Sequence, residues 1–477
     1  MIVGRKKELR LLERAFRADE AQFLTVYGRR RVGKTYLLRQ FFSHQECTFL
    51  HVTGLHKGSL RKQLEKFAVE FSKTFLSKIP LKVPDSWNEA FKLLDQQIES
   101  SQKKVVIFFD ELPWLATRKS DLLNEIDYFW NNKWAGKQNV IFIACGSSAS
   151  WLIKNIIYDK GGLHNRTTLE IHLLPFTLLE TREFLKSKHI LLNDDNILSL
   201  YMAVGGIPYY LGYAESGYTA QQIIQSLFFD KNGPLEGEFS KLFDSLFNKA
   251  EAYKELVEII SRKKIGLTKA EISKVAKLSS AGGFLSERLE SLCNAGFLQK
   301  YKIWGKERHS YYKVIDEFCL FYLHWVRDYQ GNVFPKDHWF IQSQRSAYHA
   351  WAGYAFEAVC SKHIHEIIRA LGLTMVNVIS SWRTIPKNSD EKGAEIDLVI
   401  DRVDDGITLC EIKYTKTPFI IDKNYAQVLN NKIALFKTRT KMRKQIFLAF
   451  VSAHGIKPTL YSEEMVSGMA TLEDLFT

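Results

Sequence analysis

Long apolar runs are missing from this 477-residue sequence. The best stretches, Val105–Phe109 and Val140–Cys145, have the length of a strand, whereas a membrane span needs roughly 18 residues, so no membrane partner is expected. Basic residues open the chain without an apolar segment behind them, which argues against a secretory signal. Cysteine is sparse. Cys47, Cys145, Cys293, Cys319, Cys360 and Cys410 lie among apolar neighbours with no CxxC pair, the pattern of reduced core thiols in a cytoplasmic protein and not of a disulfide framework. Only 10 prolines and 27 glycines occur, so structured connectors are expected between domains. Disordered and collagen-like classes are excluded by a composition of 46% hydrophobic and 25% charged residues. The length suits about three domains.

Acidic charge is also short. The formal net charge is +13, and residues 1–160 carry 27 Lys and Arg against 17 Asp and Glu. Such an excess favours a polyanionic partner, nucleotide or nucleic acid, over an incidental basic surface.

Phe23–Tyr27 reads as a short strand, and TYLLRQFF further on has helical spacing. Between them stand Gly28, Arg29, Arg30, Arg31, Val32, Gly33, Lys34 and Thr35. Strand, glycine loop and helix are the context a G-x-x-x-x-G-K-[ST] motif requires. The glycines let backbone N–H groups curl around phosphate oxygens at the positive end of the new helix. Lys34 would reach the β/γ-phosphates and the Thr35 hydroxyl would ligate Mg²⁺. Lys104–Asp110 supplies an apolar strand ending in acids, with Asp110 as a second Mg²⁺ contact and Glu111 as the residue that polarises the attacking water. No Asn-Lys-x-Asp motif occurs, so ATP is favoured over GTP. A third strand, Asn139–Cys145, ends in Gly146, Ser147 and Ser148, either a γ-phosphate sensor or an ordinary turn. Arg166 is a candidate charge-stabilising arginine for hydrolysis, or a surface arginine.

Taken together, IVGRKKEL, the DEL strand end, the GSS strand end, NRTTLEIHLLPF and GGIPYYL resemble the archaeal-type ATPases of the STAND/AAA+ group. The resemblance spans roughly the first half of the chain. It implies that Val3, Gly4 and Arg5 contact the nucleotide and that Gly206-Ile207-Pro208 belongs to a helical lid. Asn165-Arg166 stands where many relatives have Gly-Arg.

The middle of the chain reads as three helices and a hairpin, a winged helix. Ala250–Lys264 has an apolar face, Thr268-Lys-Ala-Glu271 is a capping box, and Ser279 or Ser280 can cap the third helix. Phe297–Ile303 and Ser310–Val314 read as strands around Gly305. Arg262, Lys263, Lys264, Lys300, Lys302, Lys306 and Arg308 would face a phosphate backbone, unless the module serves only as a spacer. Ile315–Tyr329 is apolar nearly all round and reads as a buried connector.

From Trp351 the order helix, three strands, helix, strand resembles the restriction-endonuclease-like PD-(D/E)xK fold. That resemblance places Asp397, Glu411 and Lys413 at the catalytic positions and Glu357 at a helical acid found in some members, although the usual proline before the first Asp is absent. Glu-x-Lys alone means little, and Asp390-Glu391-Lys392 is a decoy of the same form. In a strand, Glu411 and Lys413 share a face. Asp397 joins them only if the connecting loop has odd length, as a three-residue Asp404–Gly406 loop with a left-handed glycine would provide. Acids so placed could hold Mg²⁺, whereas a degenerate fold kept for packing or binding is the alternative. Cys360, His363 and His365 make a weak zinc candidate because the two histidines point to different helix faces.

The expected architecture is therefore α/β: a parallel-sheet P-loop ATPase core with a helical lid (1–245), a winged helix (246–314), a connector helix (315–348) and an α/β nuclease-like domain (349–477). The expected function is an ATP-binding and hydrolysing switch coupled to a metal-dependent nuclease acting on DNA, with a protein partner or homo-oligomer also open. The alternative is a non-catalytic ATP-gated regulator.

Overall fold

The computed structural model describes residues 2–477 apart from 118–119, 159–161, 164, 277–282, 307, 330–333, 336 and 385–392. Ser279, Ser280 and the Asp390–Lys392 triplet lie outside the described residues. The chain divides into two compact units, Met1–Pro175 and Phe176–Thr477. The helices of 176–245, expected beside the ATPase core, thus fall in the second unit.

The first unit is built on β1 (Gln22–Tyr27), β2 (Cys47–Thr53), β3 (Lys104–Asp110), β4 (Val140–Gly146) and β5 (Leu169–His172). They form one parallel sheet in the order β2-β3-β4-β1-β5. Continuous apolar runs explain the arrangement, since a strand covered by helices on both faces needs no polar side. Val105–Phe109 and Val140–Cys145 are fully enclosed. A large aromatic and aliphatic cluster fills one face, with Trp87, Phe91, Phe109, Trp134 and Phe142 at its centre. The order has a functional consequence. Strand β4 lies between β1, which feeds the glycine loop, and β3, which ends in Asp110.

The second unit opens with helices Leu178–Ser187, Asp194–Val204, Pro208–Leu211, Ala220–Phe228 and Glu238–Leu246. Gly205 leaves the second of these with φ +65°, a left-handed exit. A side chain on Gly206 would meet the Phe176 carbonyl at 1.9 Å. The backbones are that close because Phe176 N donates to Gly206 O at 2.6 Å. The GGIP and LLPF motifs therefore meet through Phe176, which also accepts a hydrogen bond from Tyr201 Oη.

Next come helices Ala250–Ser261, Lys269–Val275 and Gly283–Asn294, with β6 (Leu267–Thr268), β7 (Leu298–Lys302) and β8 (Ser310–Val314) in an antiparallel sheet ordered β6-β8-β7. The Thr268–Glu271 capping box forms as its sequence requires. The first helix ends at Ser261, three residues early, leaving Arg262–Lys264 in a turn. A helical run over 317–329 follows and is largely buried; it contains Phe318, Phe321, Tyr322 and Trp325.

Helices Ser346–Lys362 and Ile364–Ala370 lead into β9 (Val376–Thr384), β10 (Ala394–Arg402), β11 (Gly406–Lys413), β12 (Gln445–Ser452) and β13 (Val466–Ala470). Helix Lys423–Thr440 connects β11 to β12. The sheet order is β13-β12-β11-β10-β9, antiparallel from β9 to β11 and parallel from β11 to β13. The β10–β11 connection has odd length, but it is Val403–Asp405, and Asp405 takes the left-handed position at φ +61°. Aspartate tolerates that region, so the expected glycine is not required there. The β7–β8 turn is joined to this sheet: Ile303 bridges Ser381, Trp304 N donates to Ser381 O at 2.8 Å, and the Trp304 ring packs near Phe436.

Candidate nucleotide site and acid–lysine cluster

The loop after β1 is shaped by two glycines. A Cβ on Gly28 would sit 2.2 Å from Leu173 O, and Gly33 adopts φ +94° as it starts helix Lys34–Phe42. Lys34 is buried, and its Nζ donates to Gly28 O at 2.8 Å and Arg29 O at 3.1 Å. The ammonium thus folds back across the loop, where phosphate oxygens would replace two neutral carbonyls. Arg5 Nη2 donates to Val32 O at 3.2 Å, which ties the Val3-Gly4-Arg5 segment to the same loop.

Thr35 Oγ1 donates to Asp110 Oδ2 at 2.6 Å, bringing together the two expected Mg²⁺ contacts. Burial pushes the Asp110 carboxyl up. Hydrogen bonds from His51 and Thr35, with the His51 charge, outweigh it and hold the group below its ordinary value. The neighbouring His51, 3.5 Å away at Nε2, lies two residues before the end of β2, on the strand beside β3, and only sheet order reveals it.

Glu111 is left-handed at φ +50° and points at β4. Its Oε2 accepts from Ser147 N at 3.0 Å and Ser147 Oγ at 2.9 Å. The adjacency follows from register, because Phe109 pairs with Ala144 and the strands end at Asp110 and Gly146, just before Glu111 and Ser147. Arg166 is exposed, and among the described residues its guanidinium makes no ion pair.

This arrangement is similar to the nucleotide site of P-loop ATPases. Residues 2–214 match a family described as an ATPase domain predominantly from Archaea, a likeness that supports ATP binding and hydrolysis by this part of the chain. An uncharacterized protein of Methanocaldococcus jannaschii is 22% identical over 410 residues, covering 84% of this chain and 84% of that protein. An uncharacterized ATP-binding protein of the same organism is 46% identical over 46 residues, 10% of this chain and 78% of its own length. Among solved structures, a Walker-type ATPase of Pyrococcus abyssi aligns with a TM-score of 0.48 at 21% identity, over 68% of this chain and 96% of its own. The ORC2 protein of Aeropyrum pernix aligns with a TM-score of 0.45 at 10% identity, over 76% and 95%.

In the second unit, Leu398 pairs with Cys410 and Asp401 with Ile407, so the register sets Asp397 opposite Glu411. Asp397 Oδ2 accepts from Ile412 N at 2.8 Å. Glu411 is only 2% exposed and is surrounded by donors: Lys432 Nζ at 2.7 and 2.8 Å, Lys413 Nζ at 3.2 Å and Tyr425 Oη at 3.3 Å. Lys432 comes from the helix after β11, and nothing in the local sequence marks it as a partner of Glu411.

Burial, and then the Glu411 charge, push Asp397 up to about 6. Burial and the Asp397 charge push Glu357 up to about 7, with Lys313 opposing. Burial lowers Lys413, but Glu411 more than reverses this and the group ends above its ordinary value. Lys313, on β8, is half-buried near Glu357 and Asp397 and donates to Ser361 Oγ at 3.1 Å; desolvation lowers it. Among the described residues, no three His, Cys, Asp or Glu side chains gather as a metal-holding group. The cluster as placed is an acid–lysine network. His363 is likewise engaged: Nδ1 lies 2.9 Å from Val359 O, and Nε2 accepts from Leu178 N at 3.0 Å.

Proposed function

We propose that the chain is an ATP-driven switch protein that acts on DNA, with ATP bound at Gly28–Thr35. The carrying observation is that Thr35, next to Lys34 after β1, donates to Asp110, next to Glu111 at the end of β3, across the intervening β4. Loop amides and Lys34 would bind the β/γ-phosphates. Thr35 and Asp110 are the groups suited to hold Mg²⁺, which offsets phosphate charge when bound. Glu111 would orient the attacking water once released from Ser147, and Arg166 would stabilise charge developed during hydrolysis. Residues 1–245 would act as core and lid, 246–314 as a winged helix, 315–348 as a connector and 349–477 as a nuclease-like module. The exposed Lys300, Lys302 and Arg308 suit a phosphate backbone.

For the last module, the ion pairing of Glu411 favours a non-catalytic binding role. The opposition of Asp397 and Glu411, with Lys413 on the same face, supports cleavage as a second reading. Two assays test the proposal. ATP turnover should fall by roughly 100-fold or more in Lys34→Ala, and normal turnover would overturn the ATPase reading. Incubation of DNA with Mg²⁺ or Mn²⁺ should give no cutting; cutting abolished by Asp397→Asn would establish the second reading.

A further inference from the structure

The second unit contains a cavity of about 510 Å³ between the end of helix Ala250–Ser261, the buried run over 317–329 and helix Ser346–Lys362. Its volume lies within the ~300–1,000 Å³ typical of small-molecule sites. Two chemistries meet in its lining. Arg262, Lys264 and Arg327 supply positive charge, whereas Trp351, Tyr354 and His324 supply flat rings beside leucine side chains. No Asp or Glu lines it among the described residues. Arg327 is already paired, to Asp328 at 3.0 Å and Glu258 at 3.6 Å. Arg262 and Lys264 are exposed; Arg262 makes no ion pair among the described residues, and Lys264, whose charge acts at longer range on Glu357 and Glu395, has its Nζ 5.8 Å from the centre of the Tyr354 ring.

Tyr354 gives an independent sign of a ligand. It is 8% exposed, and its buried Oη has no hydrogen-bond partner among the described residues. A buried hydroxyl left unsatisfied is costly, and such groups usually have an explanation. Burial also holds His324 below its ordinary value, with Lys264 adding to the effect, so its ring is neutral near pH 7 and can both donate and accept.

We propose that this cavity binds a nucleoside phosphate, with the phosphate at Arg262 and Lys264 and the base against Trp351 and Tyr354. The Arg262 fork matches two phosphate oxygens. The aromatic and apolar wall accepts any base face, and the Tyr354 hydroxyl would gain its missing partner from the ligand. This chemistry could come from a free mononucleotide or from the 5′-phosphorylated end of a single strand. The site is separate from Gly28–Thr35 and does not depend on that reading.

The test uses the full chain carrying Lys34→Ala, so that the glycine loop contributes little. The probes are AMP and a 5′-phosphorylated hexadeoxynucleotide, with tryptophan fluorescence and equilibrium dialysis as readouts. Saturable binding of either probe at one equivalent per chain is expected, weakened at least 10-fold by Arg262→Ala with Lys264→Ala and several-fold by Tyr354→Phe. Binding of both probes assigns the site to mononucleotides, and binding of the oligonucleotide alone assigns it to strand ends. Absence of binding by both at millimolar concentration would overturn the proposal, as would binding that the exposed-residue substitutions leave unchanged. Loss of ATP turnover in the Lys34 variant alone would leave these outcomes untouched, so the two readings fail separately.

Discussion

The glycine-loop site and the acid–lysine cluster use the same ingredients, two acids and a lysine carried by strands of one sheet or the loops that leave them, and arrange them in opposite ways. At the first, Lys34 donates to backbone carbonyls, so its charge is not neutralised by a carboxylate there. At the second, Glu411 receives both Lys413 and Lys432, and its charge is offset internally. A lysine held by neutral carbonyls is ready for an incoming anion. A carboxylate held by two ammonium groups is already satisfied, and removing either side leaves an uncompensated buried charge. Residue inventory therefore does not separate a ligand site from a structural ion pair; the identity of the partner atoms does.

Substitutions can break this comparison. The largest effect is expected for Glu411→Ala, which strands Lys413 and Lys432 and should lower stability by about 3–5 kcal/mol. Denaturant unfolding measures it, and a change below about 1 kcal/mol would mean that the cluster is not structural. Next, Glu111→Gln should reduce ATP turnover by roughly 100-fold while leaving ATP affinity within a few-fold, as expected for a group that acts on the water and not on the phosphates. Ser147→Ala removes one of the two bonds holding Glu111 and sharpens the comparison. Turnover should change with affinity unaltered, and parallel changes in both would instead place Ser147 in nucleotide binding.

The smallest effect is in pH dependence. Asp397 and Glu357 are raised in the folded state, so the native protein holds protons there more tightly than the unfolded chain does. Their contribution to stability is fully present below the ordinary carboxylate range near pH 4 and is lost as pH rises through about 6 to about 7. Stability should therefore decline across this window, and Glu357→Gln should flatten the decline. Chemical denaturation at a series of pH values reads this directly; a rise in the window attributable to these groups would contradict the assigned shifts.

What the sequence made legible was local. The strand–loop–helix around Lys34, the Thr268 capping box and the odd-length turn that sets Asp397 opposite Glu411 each depend on residues close together in the chain. The partners that define chemistry came from farther away. Lys432 reaches Glu411 from a separate helix, Ser147 reaches Glu111 only because β4 lies next to β3, and Lys313 approaches Glu357 from the preceding sheet. Such meetings follow from packing between elements, which periodicity and motif spacing do not encode. The left-handed Asp405 shows a different limit: turn length was readable, but not which residue would adopt the unusual backbone conformation.

That turn also sets a rule for how this part of the chain can vary. Side chains alternate faces along a strand, so the parity of Val403–Asp405 decides whether Asp397 and Glu411 look at each other. Lengthening or shortening the connection by two residues preserves the meeting; a change of one residue sends Asp397 through to the opposite face. Length variants of this loop should therefore be accepted in steps of two, whatever their composition. A single-residue insertion at an exposed hairpin tip would act on the buried cluster as severely as a substitution within it.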